Sequence, residues 1–132
     1  MLAPLSLSRV DQSPLDLLAV FHSLPGAYLL LSPELIIEAA SDAYLAAMLT
    51  QQERIVGRPV FEAFPANPAT VHADAVRNLR ASLLQVLATG QPHTMPQQQY
   101  NVPDPNHPGC FVERYWQPTN TPVLDAHGHL LH

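Results

Sequence analysis

The side chains of this chain that could hold a metal or move a proton are seven histidines, one cysteine and eleven carboxylates. The densest group is Asp125-Ala126-His127-Gly128-His129, which brings a carboxylate and two imidazoles into one short stretch. Zinc needs such groups to converge with hydrogen-bonded support behind them. A tight turn at Gly128 splays them instead, so they read as exposed turn residues and no metal is expected. His107 and Cys110 flank a Pro-Gly turn and read the same way. The histidines titrate near neutral pH, but exposed histidines alone make a weak sensor. Glu113 and Arg114 point to opposite faces of one strand and form no catalytic pair. Glu113 is expected to reach Arg77 or Arg80, a surface ion pair contributing about 0–1 kcal/mol. The chain has no Gly-x-Ser-x-Gly elbow, no glycine loop that cradles phosphate and no His-Glu-x-x-His. Nothing here argues for an active site.

Composition narrows the classes further. The 132 residues suit one domain, and 47% hydrophobic content is ordinary for a folded protein. Charged residues make up only 13%, against about 25% typically, which suggests surface covered by a partner or by further chain. A net charge of −5 with six Lys plus Arg lacks the basic footprint of a nucleic-acid binder. The single Cys110 allows no intrachain disulfide and fits a reducing compartment. No apolar run approaches a membrane span of about 20 residues, and no signal peptide is read. A cytoplasmic location is expected. Of fourteen prolines, most fall where elements should begin or end.

The elements follow in order. Residues 1–12 read as a flexible lead. Ser13-Pro14-Leu15-Asp16 starts a helix that runs to about Ser23, with Leu15, Leu18 and Phe21 on one stripe and Pro25-Gly26 closing it. Residues 13–24 thus form a flanking helix, and 25–132 the domain proper. Ala27–Leu31 and Leu35–Ala39 read as two strands around a Ser32-Pro33-Glu34 turn. Ser41 caps a short helix over 42–49 with Tyr44, Leu45, Met48 and Leu49 on one face. Thr50-Gln51-Gln52-Glu53 reads as a capping box for another, with Gly57 as its terminating glycine. Phe61–Phe64 gives one further turn. The longest periodic segment, Val71–Thr89, is the main helix, stopped by Gly90 and Pro92. His93–Val102 is an edge strand, because Pro96 cannot donate to a ladder. Cys110–Thr121 is a longer strand with apolar groups on both faces, read as central. After the turn at Asp125–Gly128, residues 129–132 begin a last strand.

The phrases LPGAYLLLSPELIIEAASDAYL, RIVGRPVFEAFP, RNLRASLLQVLATGQPHTM and ERYWQPTNTPVLDAHGHLL, in this order, resemble the PAS domains at the N-termini of bacterial sensor histidine kinases. The resemblance covers roughly residues 22–132. It implies an α+β fold: a five-stranded antiparallel sheet of order 2-1-5-4-3 with helices on one face. The fifth, central strand is here only about four residues long. The parent protein is expected to continue through it, and amides of residues 28–31 or 112–116 to lack ladder partners or to pair with another chain. The resemblance also implies a ligand pocket between main helix and sheet, lined by Tyr44, Met48, Phe61, Leu79, Leu83 and Trp116. The bland alternative is that these six simply fill the core. Flavin photosensors of this fold carry a cysteine before the main helix, and haem sensors a histidine within it. Neither is present; His72 and His93 lie near the helix ends. No cofactor is expected, though an unknown small ligand is compatible.

The function expected is a non-catalytic sensory and dimerisation domain of a bacterial two-component signalling protein, a sensor or hybrid histidine kinase. It would pair as a homodimer through Leu15, Leu18 and Phe21 and relay to a C-terminal output domain. One alternative is a cone-shaped α/β enzyme or carrier of the nuclear-transport-factor-like kind, which needs a polar pair such as Asp and His inside its pocket. Another is a protein-docking module with no pocket.

Overall fold

The computed structural model of the chain describes residues 13–65 and 74–132. The expected lead, the loop over 67–70, His72 and the first residues of the main helix lie outside that range. The Ser-Pro start gives α1, Ser13–Ser23. Two antiparallel strands follow, β1 (Leu29–Leu31) and β2 (Ile37–Ala40), with a bulge between Leu30 and Leu31. The second strand starts later than the apolar run suggests. The Ser32 carbonyl accepts from the Leu35 amide (2.8 Å), the Ser32 hydroxyl from the Ile36 amide (3.1 Å), and Leu35 itself sits at φ 65° inside the turn. Pro33 and the Ser32 side chain thus hold a leucine in a conformation L-residues normally avoid.

Ser41 then closes the strand pair and opens α2, Asp42–Ala47. Its hydroxyl accepts from the amides of Tyr28 (2.9 Å) and Tyr44 (3.3 Å) and donates to the Gly26 carbonyl (2.9 Å). The helix ends earlier than the expected Leu49. Leu49, at φ 55°, donates to the Ala46 carbonyl (3.3 Å), and Thr50 to that of Leu45 (3.1 Å). This is a Schellman closure with leucine where glycine is usual. It uses the Thr50 amide, so Thr50 cannot start the next helix. Gln51 takes that place without a side-chain cap, and α3 spans Gln52–Ile55. The expected capping box is therefore not formed. Gly57, at φ 88°, turns the chain back along β2, where its amide donates to Ile37 O (2.8 Å) and Ile37 N to Arg58 O (2.9 Å). A bridge between Ile36 and Pro59 continues this pairing, covering the outer edge of β2. One turn, α4 (Val60–Ala63), follows.

The main helix α5, described over Asp74–Thr89, ends at Gly90. Beyond it lies one interrupted hairpin. β3 (His93–Thr94), β4 (Gln98–Gln99) and β5 (Val102–Pro103) pair antiparallel with β8 (Thr119–Asn120), β7 (Tyr115–Trp116) and β6 (Phe111–Val112) respectively. Met95 N to Pro118 O (2.8 Å) and Tyr100 N to Arg114 O (2.9 Å) carry the ladder between these pieces. Pro96 and Pro118 fall in the same interruption, and neither has an N–H to give. One of the two interruptions thus falls at the strands' own prolines, and the strands stay paired along their length. Cys110–Thr121 is not a central strand. Its ladder has a partner on one side only, and Phe111 and Tyr115 face solvent while Val112, Arg114 and Trp116 turn inward.

The fold is α+β with antiparallel strands, but the order 2-1-5-4-3 is not formed among the described residues. β1–β2 and the hairpin are separate two-stranded ladders. The residues expected as the central strand close on themselves through an Leu124–Leu130 bridge, with Val123 N to His132 O (2.9 Å) and Asp125 N to His129 O (2.8 Å). The His132 imidazole meets the carboxylate of Glu38 on β2. Side chains tie the hairpin to the helices instead. Arg114 Nε donates to the Ala47 carbonyl at the end of α2 (2.8 Å). Ser82 of α5 lies within hydrogen-bond distance of His93 Nδ1 (2.6 Å) and accepts from Asn120 Nδ2 (2.8 Å). The buried cluster of Ile37, Ala40, Ile55, Val60 and Leu83 packs the first ladder against the helices.

Two outcomes follow from this wiring. Ser41→Ala leaves the Tyr28 amide without its acceptor and α2 without its cap. It should lower unfolding free energy by about 2–4 kcal/mol in urea titrations. Asp125 accepts from the amides of His127 and His129 (both 2.8 Å), and the His129 bond is the first cause holding its carboxyl below the ordinary value. A lowered folded-state value means the contribution is complete above the unfolded pKa, about 3.9, and fades as pH falls through the folded one. The protection of the His127 and His129 amides against exchange should therefore fall only below about pH 4, and Asp125→Asn should blunt that dependence.

Candidate functional site

The two ladders leave between them a cavity of about 420 Å³. β1 and the residues before it form one wall, the hairpin the opposite wall, and α2, α4 and α5 the remainder. Tyr44, Met48, Phe61, Leu79, Leu83 and Trp116, the residues expected to line a pocket, all lie in this wall. Phe64, Met95, Tyr100 and Asn120 join them, which sequence reading did not single out. Phe64 follows the α4 turn just before Pro65, and Met95 and Asn120 sit on facing pieces of the hairpin. The pairing register that brings these last two together has no signature in either strand alone.

Each wall residue is placed by its element. Ser41 fixes the first turn of α2, and Tyr44 is the residue whose amide it caps. The Tyr44 ring stands edge-on to Phe64 (6.0 Å between centroids) and tilted against Trp116 (5.7 Å). Burial pushes the Tyr44 hydroxyl well above its ordinary pKa, with the nearby Tyr100 hydroxyl adding to the shift, so it is a neutral phenol. Burial raises Tyr100 as well. Tyr100 donates its proton to the Pro65 carbonyl (2.8 Å). Among the described residues, no hydrogen bond reaches the Tyr44 hydroxyl. Asn120 is anchored through Ser82 and the Met95 sulfur (3.5 Å). The Arg80 guanidinium lies over the Phe61 ring at 4.3 Å. The described wall contains no Asp, Glu, Lys, Arg or His.

The other candidates are placed elsewhere. His93 is bonded to Ser82 and is not in the wall. Arg77 pairs with Asp74 one turn away (2.8 Å) and Arg80 covers Phe61, so neither makes the expected pair with Glu113; the nearer partner on the same helix wins. Among the described residues, no three metal-ligating side chains converge. Asp125 accepts the His127 and His129 amides on Oδ1 and faces the His129 imidazole with Oδ2 at 3.4 Å, and the His127 and His129 rings stand 6.3 Å apart. Cys110 is exposed. On α1, Leu17, Leu18 and Val20 are 65, 56 and 54% exposed, whereas Phe21 is half-buried beside His22. Leu15 lies on the same helix, its side chain outside the described part. His22 anchors the end of α1, with Nδ1 at 3.1 Å from the Ala40 carbonyl and 2.8 Å from the Gln52 amide nitrogen. No helix among the described residues is long and apolar enough to cross a membrane.

A family model described as the PAS fold matches residues 21–132. The solved structure of VqmA bound to DPO is similar at a TM-score of 0.56 and 23% identity, over 89% of this chain. The alignment covers 53% of that structure, so the present chain spans about half of its length. No curated protein matches the sequence.

A buried hydroxyl with no partner is a stability cost that phenylalanine removes. Tyr44→Phe should therefore unfold in urea no earlier than the native protein, with a gain of up to about 1 kcal/mol.

Proposed function

The chain belongs to the PAS-fold family, and from that premise we propose that it is a non-catalytic sensory domain that takes a small molecule into its central cavity. The observation that carries this is the cavity itself. Its volume of about 420 Å³ falls within the range of small-molecule sites, roughly 300–1,000 Å³, and its wall mixes aromatic and aliphatic groups with a few polar ones. A docking module with a filled interior would lack it. A cone-shaped enzyme would need a polar pair such as Asp and His inside, and the described wall offers neither. The similarity to VqmA bound to DPO agrees with a ligand-holding PAS domain.

The finer reading places the domain in the cytoplasm, in a bacterial two-component protein, as the sensor of a histidine kinase. Its order 2-1-5-4-3 would be the arrangement in which a strand after the hairpin enters beside β1. The exposed Leu17, Leu18 and Val20 on α1 would meet a second copy. A ligand that binds two packings unequally would shift their populations and so drive the output.

Native mass spectrometry of freshly purified protein, with its absorbance spectrum, tests the sensing role. A retained small mass that is lost in Ala75→Trp, which fills the cavity from α5, supports it. Bare chain mass, with no ligand found by thermal-shift screening, removes it. The pairing is tested separately. The native domain should run as a dimer in light scattering and Leu17→Glu/Leu18→Glu as a monomer; a persisting dimer would place the interface elsewhere.

A further inference from the structure

The chemistry of the cavity wall says more than that something small fits. Every charged side-chain type is missing from its described part. An ion entering it would shed its hydration and find no counter-charge, a loss of several kcal/mol that only a charged partner offsets. Aromatic rings line the cavity from both halves, with Tyr44 in contact with Phe64 on one side and Trp116 on the other. Their edge-on and tilted arrangement is the one aromatic groups adopt with one another, and it suits a further flat ring. Tyr44 is half-buried in the wall, its hydroxyl stays protonated and has nothing to donate to among the described residues. Tyr100, its neighbour, has already given its proton to Pro65. A donor in this state is worth most to a ligand that brings an acceptor, because the hydroxyl has no competing bond to give up.

Resting on the sensing role above, we propose that the ligand is a neutral, planar ring compound whose hydrogen-bond acceptor takes the Tyr44 hydroxyl. Selection then works by exclusion as well as by contact. Anions and cations are rejected by the uncharged wall, and saturated rings of similar size lose the aromatic contacts.

Trp116 is the only tryptophan of the chain and stands in this wall, so its fluorescence reports entry directly. The probes are acetophenone, ethylbenzene, benzoate, benzylamine and cyclohexyl methyl ketone, titrated against native protein and Tyr44→Phe. Acetophenone should bind at least tenfold more tightly than benzoate, benzylamine or the saturated ketone. Tyr44→Phe should weaken acetophenone about tenfold, the worth of one buried hydrogen bond, and leave ethylbenzene unchanged. Equal binding of benzoate, benzylamine or the saturated ketone would overturn the ligand class while leaving the sensing role standing. So would an equal loss of acetophenone and ethylbenzene in Tyr44→Phe. Retention of an adduct in native mass spectrometry with no response to any probe would likewise overturn the class alone. No adduct and no response would overturn both.

Discussion

One fully buried hydroxyl, that of Ser41, sets the geometry on which the cavity depends. It has one proton to donate and two lone pairs to fill, and all three are used, on Gly26, Tyr28 and Tyr44. Through Gly26 and Tyr28 it fixes where the chain leaves α1 and enters β1. Through Tyr44 it fixes the phase of α2, and hence which way that ring is presented. The residue is 0% exposed, so water cannot substitute for any of these bonds. A serine that looks in sequence like an ordinary helix cap is also the clasp of the first ladder.

The second constraint is a gap. Among the described residues, β1 has a ladder partner on one side only, and so do the strands of the hairpin. Side chains tie the hairpin to the helices: Arg114 on the Ala47 carbonyl at the end of α2, and His93 and Asn120 on Ser82 of α5. Hydrogen bonds of this kind contribute about 0.5–1.5 kcal/mol each when neutral and about 1.5–3 when one partner is charged. They are fewer and more separable than a backbone ladder. The cavity occupies the place that continuous pairing would otherwise close, and its walls belong to both halves.

Much of this was legible in the chain. Ser41, Gly57 and Gly90 mark element ends through local chemistry, and the structure keeps all three. The six pocket-lining residues came from a resemblance in the order of elements, and the structure brings them together around one space, which does not by itself show that a ligand binds there. Where reading failed, the cause was non-local. Leu49 ends α2 in the left-handed region, which no propensity for leucine foretells. Thr50 looks like a cap until its amide is claimed by Leu45. Pro96 marks an edge strand in the sequence, but that it interrupts the strand, with Pro118 in the same gap, follows only from a register that spans the hairpin. The apolar faces of Cys110–Thr121 suggested cover on both sides, yet Phe111 and Tyr115 stay in solvent. Composition cannot say which face finds a partner.

These features meet in the way the site can be coupled to the rest of the molecule. Tyr44 is held by the first ladder through Ser41, whereas Trp116 belongs to the hairpin, and the two rings touch across the cavity. A guest between such walls contacts both halves at once, so its binding free energy depends on how they are set relative to each other. That dependence is the requirement for a ligand to shift a conformational equilibrium: unequal affinity for two arrangements. Had the sheet been continuous, moving one wall would have meant breaking a ladder. Here it means adjusting Arg114 and the Ser82 bonds, a change on the scale of a few kcal/mol. A small neutral ligand supplies that much only as the difference between its affinities for the two arrangements. A discontinuous sheet would lower what must be overcome, and a ligand held unequally in the two arrangements would supply what overcomes it.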